Sequence, residues 1–240
     1  MRKNLFHKLR IMQVICLSLS LAACGASVGG HREILSRADR PANERALDAV
    51  RKPDEVLAFY GVKAGDKVAD VSAGRGYYSA ILSGVVGPSG VTYTVNRAPR
   101  EEVNQRWKSP QFANVRVADG PFDKLALPQD GSLDFVLIHL NYHDLPPETR
   151  APMNKRILAS LKRGGIYGVV DHSAKDGSGN DANKTLHRID KFQVIKEVTS
   201  VGFTLSKEGE MLRQPEDPRD FSVTKVRGKD DRFVLAFQKP

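Results

Sequence analysis

The stretch Lys67-Val68-Ala69-Asp70-Val71-Ser72-Ala73-Gly74-Arg75-Gly76 constrains the fold of this chain more than any other. Val68 to Val71 is a short apolar run with one acid near its end, the pattern of a buried strand. Ser72 to Gly76 make a tight turn, and the apolar spacing then predicts a helix from Tyr77 to Val86. Strand, glycine turn and helix in this order form the first βα corner of an open α/β sheet, where a nucleotide-like ligand lies against the helix N-terminus. Gly74 and Gly76 let the backbone approach such a ligand with no Cβ in the way. The unpaired N–H groups of the helix start can hold an anion such as a carboxylate.

The rest of the chain extends this corner into a sheet. Strands are expected at Val91–Val95, Val115–Ala118, Leu133–Leu140 and Ile166–Val170, with Leu133–Leu140 the most apolar and hence central. Two further strands, Phe203–Leu212 and Phe233–Phe237, follow one another and predict an antiparallel C-terminal hairpin. Helices are expected at Pro53–Tyr60, Arg100–Trp107, Pro147–Leu161 and Ile189–Val201. Residues 31–52 are polar and helix-compatible. Residues 173–185 hold almost nothing apolar and are expected to form a mobile loop. The expected fold class is a Rossmann-like, seven-stranded α/β sheet, mostly parallel, with helices on both faces.

At 240 residues the chain is long enough for one such domain with a sizeable core. Its net charge of +9 is spread among interleaved acids, which argues for a solvated surface and against a nucleic-acid groove. Met1–Arg10 is basic, Ile11–Ala23 is an apolar stretch of signal-peptide length, and Leu21-Ala22-Ala23-Cys24 resembles the lipobox of bacterial lipoproteins. The resemblance implies a signal peptide at 1–23, a lipid on Cys24, and a protein held to a membrane of the cell envelope and facing away from the cytoplasm. Residues 24–40 would then be a tether, and 41–240 the folded domain. Cys16 lies in the expected leader, so Cys24 would be the only cysteine of the mature chain, excluding an internal disulfide.

The spacing Asp70-x-Ser72-x-Gly74-x-Gly76 resembles the Asp/Glu-x-Gly-x-Gly-x-Gly signature of class I S-adenosylmethionine-dependent methyltransferases, with Ser72 at the first glycine. The dinucleotide fingerprint fits worse, because Tyr77, Tyr78 and Ser79 follow where a third glycine is needed. The order of elements over residues ~40–240 is similar to the same class. More narrowly, Arg51-Lys52-Pro53-Asp54, Asn141-Tyr142-His143-Asp144-Leu145, Leu186-His187-Arg188-Ile189-Asp190 and Asp231-Arg232-Phe233-Val234-Leu235 resemble a group of bacterial methyltransferases of unassigned substrate.

That resemblance implies S-adenosylmethionine as cofactor. It places Asp70, Ser72, Gly74 and Gly76 around the methionine part and ribose, with Asn96 at the position that usually holds an acid for the ribose hydroxyls. Asp119 would take the adenine amino group, and Asn141 would sit near both cofactor and acceptor. An acceptor that must lose a proton needs a base, and a histidine of near-neutral pKa suits that task. His143, after the fourth strand, is the first choice and His172, after the fifth, the second. His143, His172 and His187 with Asp144 or Asp171 could also ligate a metal, but no two of them share a helix at close spacing, and none is assigned. The expected activity is methyl transfer to a small molecule. The alternative is a membrane-tethered binding protein that keeps the fold without catalysis.

Overall fold

Strands buried on both faces must be apolar throughout, and the run Leu133–His139 lies at the centre of the sheet. The computed structural model describes residues 28–226 and 228–240, so the expected leader 1–23, Cys16 and Cys24 lie outside the described residues. The strands are β1 (Lys67–Val71), β2 (Val91–Val95), β3 (Val115–Val117), β4 (Leu133–His139), β5 (Leu161–His172), β6 (Thr204–Gly209) and β7 (Arg232–Gln238), in the spatial order β3-β2-β1-β4-β5-β7-β6. The first five run parallel, and β7 inserts antiparallel between β5 and β6. The expected seven-stranded sheet with its C-terminal hairpin is present. Strand order reverses between β1 and β4, which makes a crevice beyond their carboxyl ends.

The helices are α1 (Val28–Ser36), α2 (Ala42–Arg45), α3 (Asp48–Arg51), α4 (Pro53–Tyr60), α5 (Tyr77–Val86), α6 (Glu101–Asn104), α7 (Pro147–Ser160), α8 (Asn183–Leu186) and α9 (Lys191–Thr199). Two apolar layers flank the sheet. Val68, Phe135, Leu137, Val170 and Val234 pack with Val56, Leu57, Ile81 and Leu82 of α4 and α5. Their strand neighbours Ala69, Val136, Ile138, Val169 and Leu235 pack with Met153 and Ile157 of α7 and Val194 and Val198 of α9. Each fully buried aliphatic side chain contributes about 1.5–3 kcal/mol, so the register of every central strand is fixed by both layers at once.

Two expectations change. Residues 28–40 belong to the span assigned to a tether, yet α1 packs on the domain. His31 Nε2 lies 2.9 Å from the Val62 carbonyl, and a Cβ on Gly84 of α5 would meet Ile34 at 2.7 Å. The packed unit therefore begins before residue 41. The polar segment 173–185 is also ordered by its surroundings. Ala174 and Ala182 are buried, Arg150 donates to Asn180 Oδ1 at 2.7 Å, and the Asp190 carboxylate accepts from the N–H groups of Gly177 and Gly179. Buried charges thus do there what apolar contacts do elsewhere. Among the described residues no helix is long and apolar enough to cross a membrane.

Candidate active site

Alternation along the strands decides which polar residues meet. Val68, Leu137, Val170 and Val234 face the α4–α5 layer; two residues further along β1, β4 and β5 come Asp70, His139 and His172, on the same face. Arg232, opposite His172 in the antiparallel register, joins them. These four side chains line a cavity of about 450 Å³ beyond the strand ends, together with Arg51, Ser72, Gly74, Tyr77, Tyr78, Asn141 and Asp230.

The glycine corner forms one wall. Ser72 (φ 62°), Gly74 (φ 60°) and Gly76 (φ 83°) all adopt left-handed backbone. A Cβ built on Gly74 meets nothing within 4 Å, so the cavity would receive it. Gly76 serves packing instead, since its Cβ would stand 2.3 Å from the Trp107 ring. Asp70 is buried and accepts a 2.7 Å bond from Ser79 Oγ. Burial outweighs that bond and the nearby Arg51 charge, and pushes the Asp70 carboxyl up to about 6.

Asn96 and Asp119 stand behind this wall and do not line the cavity. Asn96 Oδ1 accepts from the Gly74 N–H at 2.9 Å, while its Nδ2 is buried without a partner. The Asp119 carboxylate accepts from Asn96 N at 2.7 Å and from Asn104 Nδ2 at 3.0 Å. Both residues tie the loop after the second strand to the glycine corner. Asn141 does reach the cavity, and its Nδ2 donates to the His139 carbonyl at 2.8 Å.

On the opposite wall His172 Nδ1 lies 2.5 Å from Asp230 Oδ2. Arg232 donates to both oxygens of the same carboxylate, at 2.7 and 2.9 Å. Burial disfavours the Asp230 anion, but the bonds from His172 and Arg232 outweigh it and hold its pKa well below the ordinary range. His139 has the reverse fate. Burial, reinforced by Arg51, Arg232 and His172, holds its pKa far below the ordinary value and keeps the ring neutral, and its Nε2 has no partner. Arg51 is stacked 4.5 Å from the Tyr77 ring centroid and forms no ion pair with a described carboxylate.

His143 points to the other face. Its Nδ1 is 2.8 Å from Asp171 Oδ1, its backbone N–H donates to Asp171 Oδ2, and its Nε2 is 3.2 Å from Asp144 Oδ1. Burial alone would lower its pKa, but Asp171 and Asp144 outweigh burial and raise it to about 10. A ring protonated at neutral pH with both nitrogens engaged donates protons and does not take them. Of the two histidines expected as bases, His172 lines the cavity and His143 does not. His139 carries little local signal, because it ends a strand otherwise mostly apolar. The sign was its parity, two residues past Leu137, matching Asp70 after Val68. Arg51 and Arg232 lay in stretches noted only for their resemblance.

No protein-family model matches the chain. A protein-L-isoaspartate O-methyltransferase of Ignicoccus hospitalis is 28% identical over 144 residues, covering 59% of this chain and 63% of that protein. A demethylmenaquinone methyltransferase of Staphylococcus aureus is 30% identical over 119 residues, covering 49% and 48%. The chain thus spans less than two thirds of the length of these curated relatives. A crystal structure of an S-adenosylmethionine-dependent methyltransferase from Aquifex aeolicus superposes with a TM-score of 0.61, at 20% identity, over 87% of this chain and 98% of that one. The fold is that of the class I methyltransferases.

Proposed function

We infer that this chain transfers a methyl group from S-adenosylmethionine to an acceptor in the cavity formed by Asp70, Gly74, His139 and His172. The observation that carries the reading is the open space against Gly74, at the point where strand order reverses. The cavity of about 450 Å³ offers one buried acid with no basic partner, Asp70, and, beside the exposed Arg75, one half-buried cation without a described carboxylate partner, Arg51. That pair matches a ligand carrying both a cationic and an anionic end, as S-adenosylmethionine does. Gly74 and Ser72 would give it backbone, and Tyr77 and Tyr78 an aromatic wall. When bound, this cofactor supplies an electrophilic methyl on a sulfonium.

The chain's own residues align the acceptor and handle its proton. Asp230 fixes the His172 ring through Nδ1, which leaves Nε2 as the nitrogen that takes the acceptor's proton. His139, kept neutral, offers its unpartnered Nε2 for a hydrogen bond that orients a ligand. The two relatives are named for different acceptors, protein L-isoaspartate and demethylmenaquinone, so the acceptor class stays open between small molecule and protein. Export and lipidation at Cys24 belong to the same reading. Mass spectrometry of the mature protein should find an acylated Cys24 start, and an intact Met1 start without acyl chains would remove that part.

Calorimetry of the full chain with S-adenosylmethionine, its demethylated product and NAD tests the main reading. Binding of the first two but not of NAD is expected. Binding of NAD alone would overturn it.

A further inference from the structure

On the face of the sheet opposite the cavity, three metal-ligating side chains come together from two loops. His143 Nε2, Asp144 Oδ1 and His187 Nδ1 all lie within 4.8 Å of one another. Asp144 Oδ1 is 3.2 Å from each of the two nitrogens. The two imidazole rings stand 5.7 Å apart between centroids and nearly perpendicular, at 87°. Metal–nitrogen bonds of about 2.0–2.1 Å bring two ligand atoms within roughly 4 Å of each other, so the cluster needs only a small contraction. Asp144 and His187 are exposed enough to supply it, with side chains 50% and 37% accessible.

The surroundings of His143 add a second, independent feature. Its Nδ1 is held at 2.8 Å by Asp171, a carboxylate with no solvent exposure. A ligating histidine that donates its other N–H to a buried carboxylate has its ring orientation fixed and its basicity raised. Here that bond directs Nε2 at Asp144.

We propose that His143, Asp144 and His187 form a binding site for a divalent transition-metal ion of the zinc class, with Asp171 orienting His143 and the ion displacing to solvent the proton between His143 Nε2 and Asp144. Two imidazoles and one carboxylate suit zinc or cobalt, whereas magnesium and calcium prefer all-oxygen shells. Three protein ligands leave a coordination position for water or another oxygen ligand. The site adjoins the cavity wall, because the His143 and His172 rings are 5.5 Å apart. The proposal is independent of methyl transfer and would survive its failure.

The test uses the full chain, stripped with a chelator and dialysed, then titrated with zinc chloride or cobalt chloride alone. One equivalent of zinc should bind in calorimetry, and cobalt should give visible absorption bands of a low-coordinate complex. His187→Ala and Asp144→Asn alter accessible side chains and should keep the fold, checked by circular dichroism. Each should weaken zinc binding at least ~10-fold, and Asp171→Asn should weaken it ~10–100-fold. Absence of saturable one-equivalent uptake overturns the site. So does zinc binding to His187→Ala and Asp144→Asn as tight as to the wild type, which would put the ion elsewhere.

Discussion

Asp171 and His172 are neighbours in sequence, yet they face opposite sides of β5, and the two sides treat charge differently. On the Asp171 side the buried ions are matched. Asp171 takes His143, and Arg150 takes Glu197 at 3.1 Å and Asn180 at 2.7 Å. Arg188, fully buried further along, takes Asp217 at 2.7 Å and the Ser173 carbonyl at 2.8 Å. On the His172 side the accounting is incomplete. His139 Nε2 is orphaned, Arg51 has no described carboxylate, and Asp70 is pushed up to about 6 by burial. Unmatched buried polar groups cost stability, and those that line the cavity are within reach of a ligand that would complete them. The contrast separates a charge-matched polar layer from an unmatched one across the thickness of a single sheet.

The largest effect should come from His172→Ala on the cavity side. A positioned base is worth ~10²–10⁴-fold in rate, and urea unfolding should shift little, since Arg232 still neutralises Asp230. An unchanged rate, measured once an acceptor is known, would break the assignment of proton transfer to this face. On the matched side, Asp171→Ala leaves the His143 imidazolium buried without its partner. Removing one member of a buried pair costs about 3–5 kcal/mol, read as a lower urea midpoint. A midpoint within error of the wild type would mean that the matched layer carries no stability.

A smaller effect sharpens the contrast through pH. Asp70 binds its proton more tightly in the folded chain than in the unfolded one, where the carboxyl sits near 3.8. Between about pH 4 and pH 6 the folded state therefore holds more protons. Stability without ligand should fall as pH rises through this window, by up to roughly 3 kcal/mol, and stay lower above it. Asp70→Asn should flatten that part of the profile while weakening cofactor binding. Parallel profiles for wild type and variant would show that Asp70 is not strained by burial. Arg51→Met should act least, lowering cofactor affinity about tenfold, the order of one charge-assisted hydrogen bond. Equal affinity would place Arg51 outside the site.

The corner from Lys67 to Val86 was legible because each element has a local signal. An apolar run, small turn residues at positive φ and a resumed helical spacing need no distant partner. The strand positions were legible for the same reason. Function-bearing contacts were less so, because they join residues far apart in sequence: Arg232 Nη1 reaches the Val50 carbonyl across 182 residues. Ordering of residues 173–185 was hidden too, since it rests on Arg150 and Asp190 and not on the segment's own composition. The face on which His143 lies was hidden as well, because topology sets the end of the sheet at which a residue lies, while its face depends on the turn after the strand. Leu140, at φ 59°, begins that turn.

The central claim, that the open space against Gly74 holds S-adenosylmethionine, is tested most directly by calorimetry on Gly74→Val beside the wild type. The wild type should bind S-adenosylmethionine with one site. In Gly74→Val, a β-branched side chain at φ 60° projects into the space the ligand needs, and binding should be lost while circular dichroism shows the sheet intact. Equal affinity in a folded Gly74→Val, or no binding by the wild type, would contradict the account.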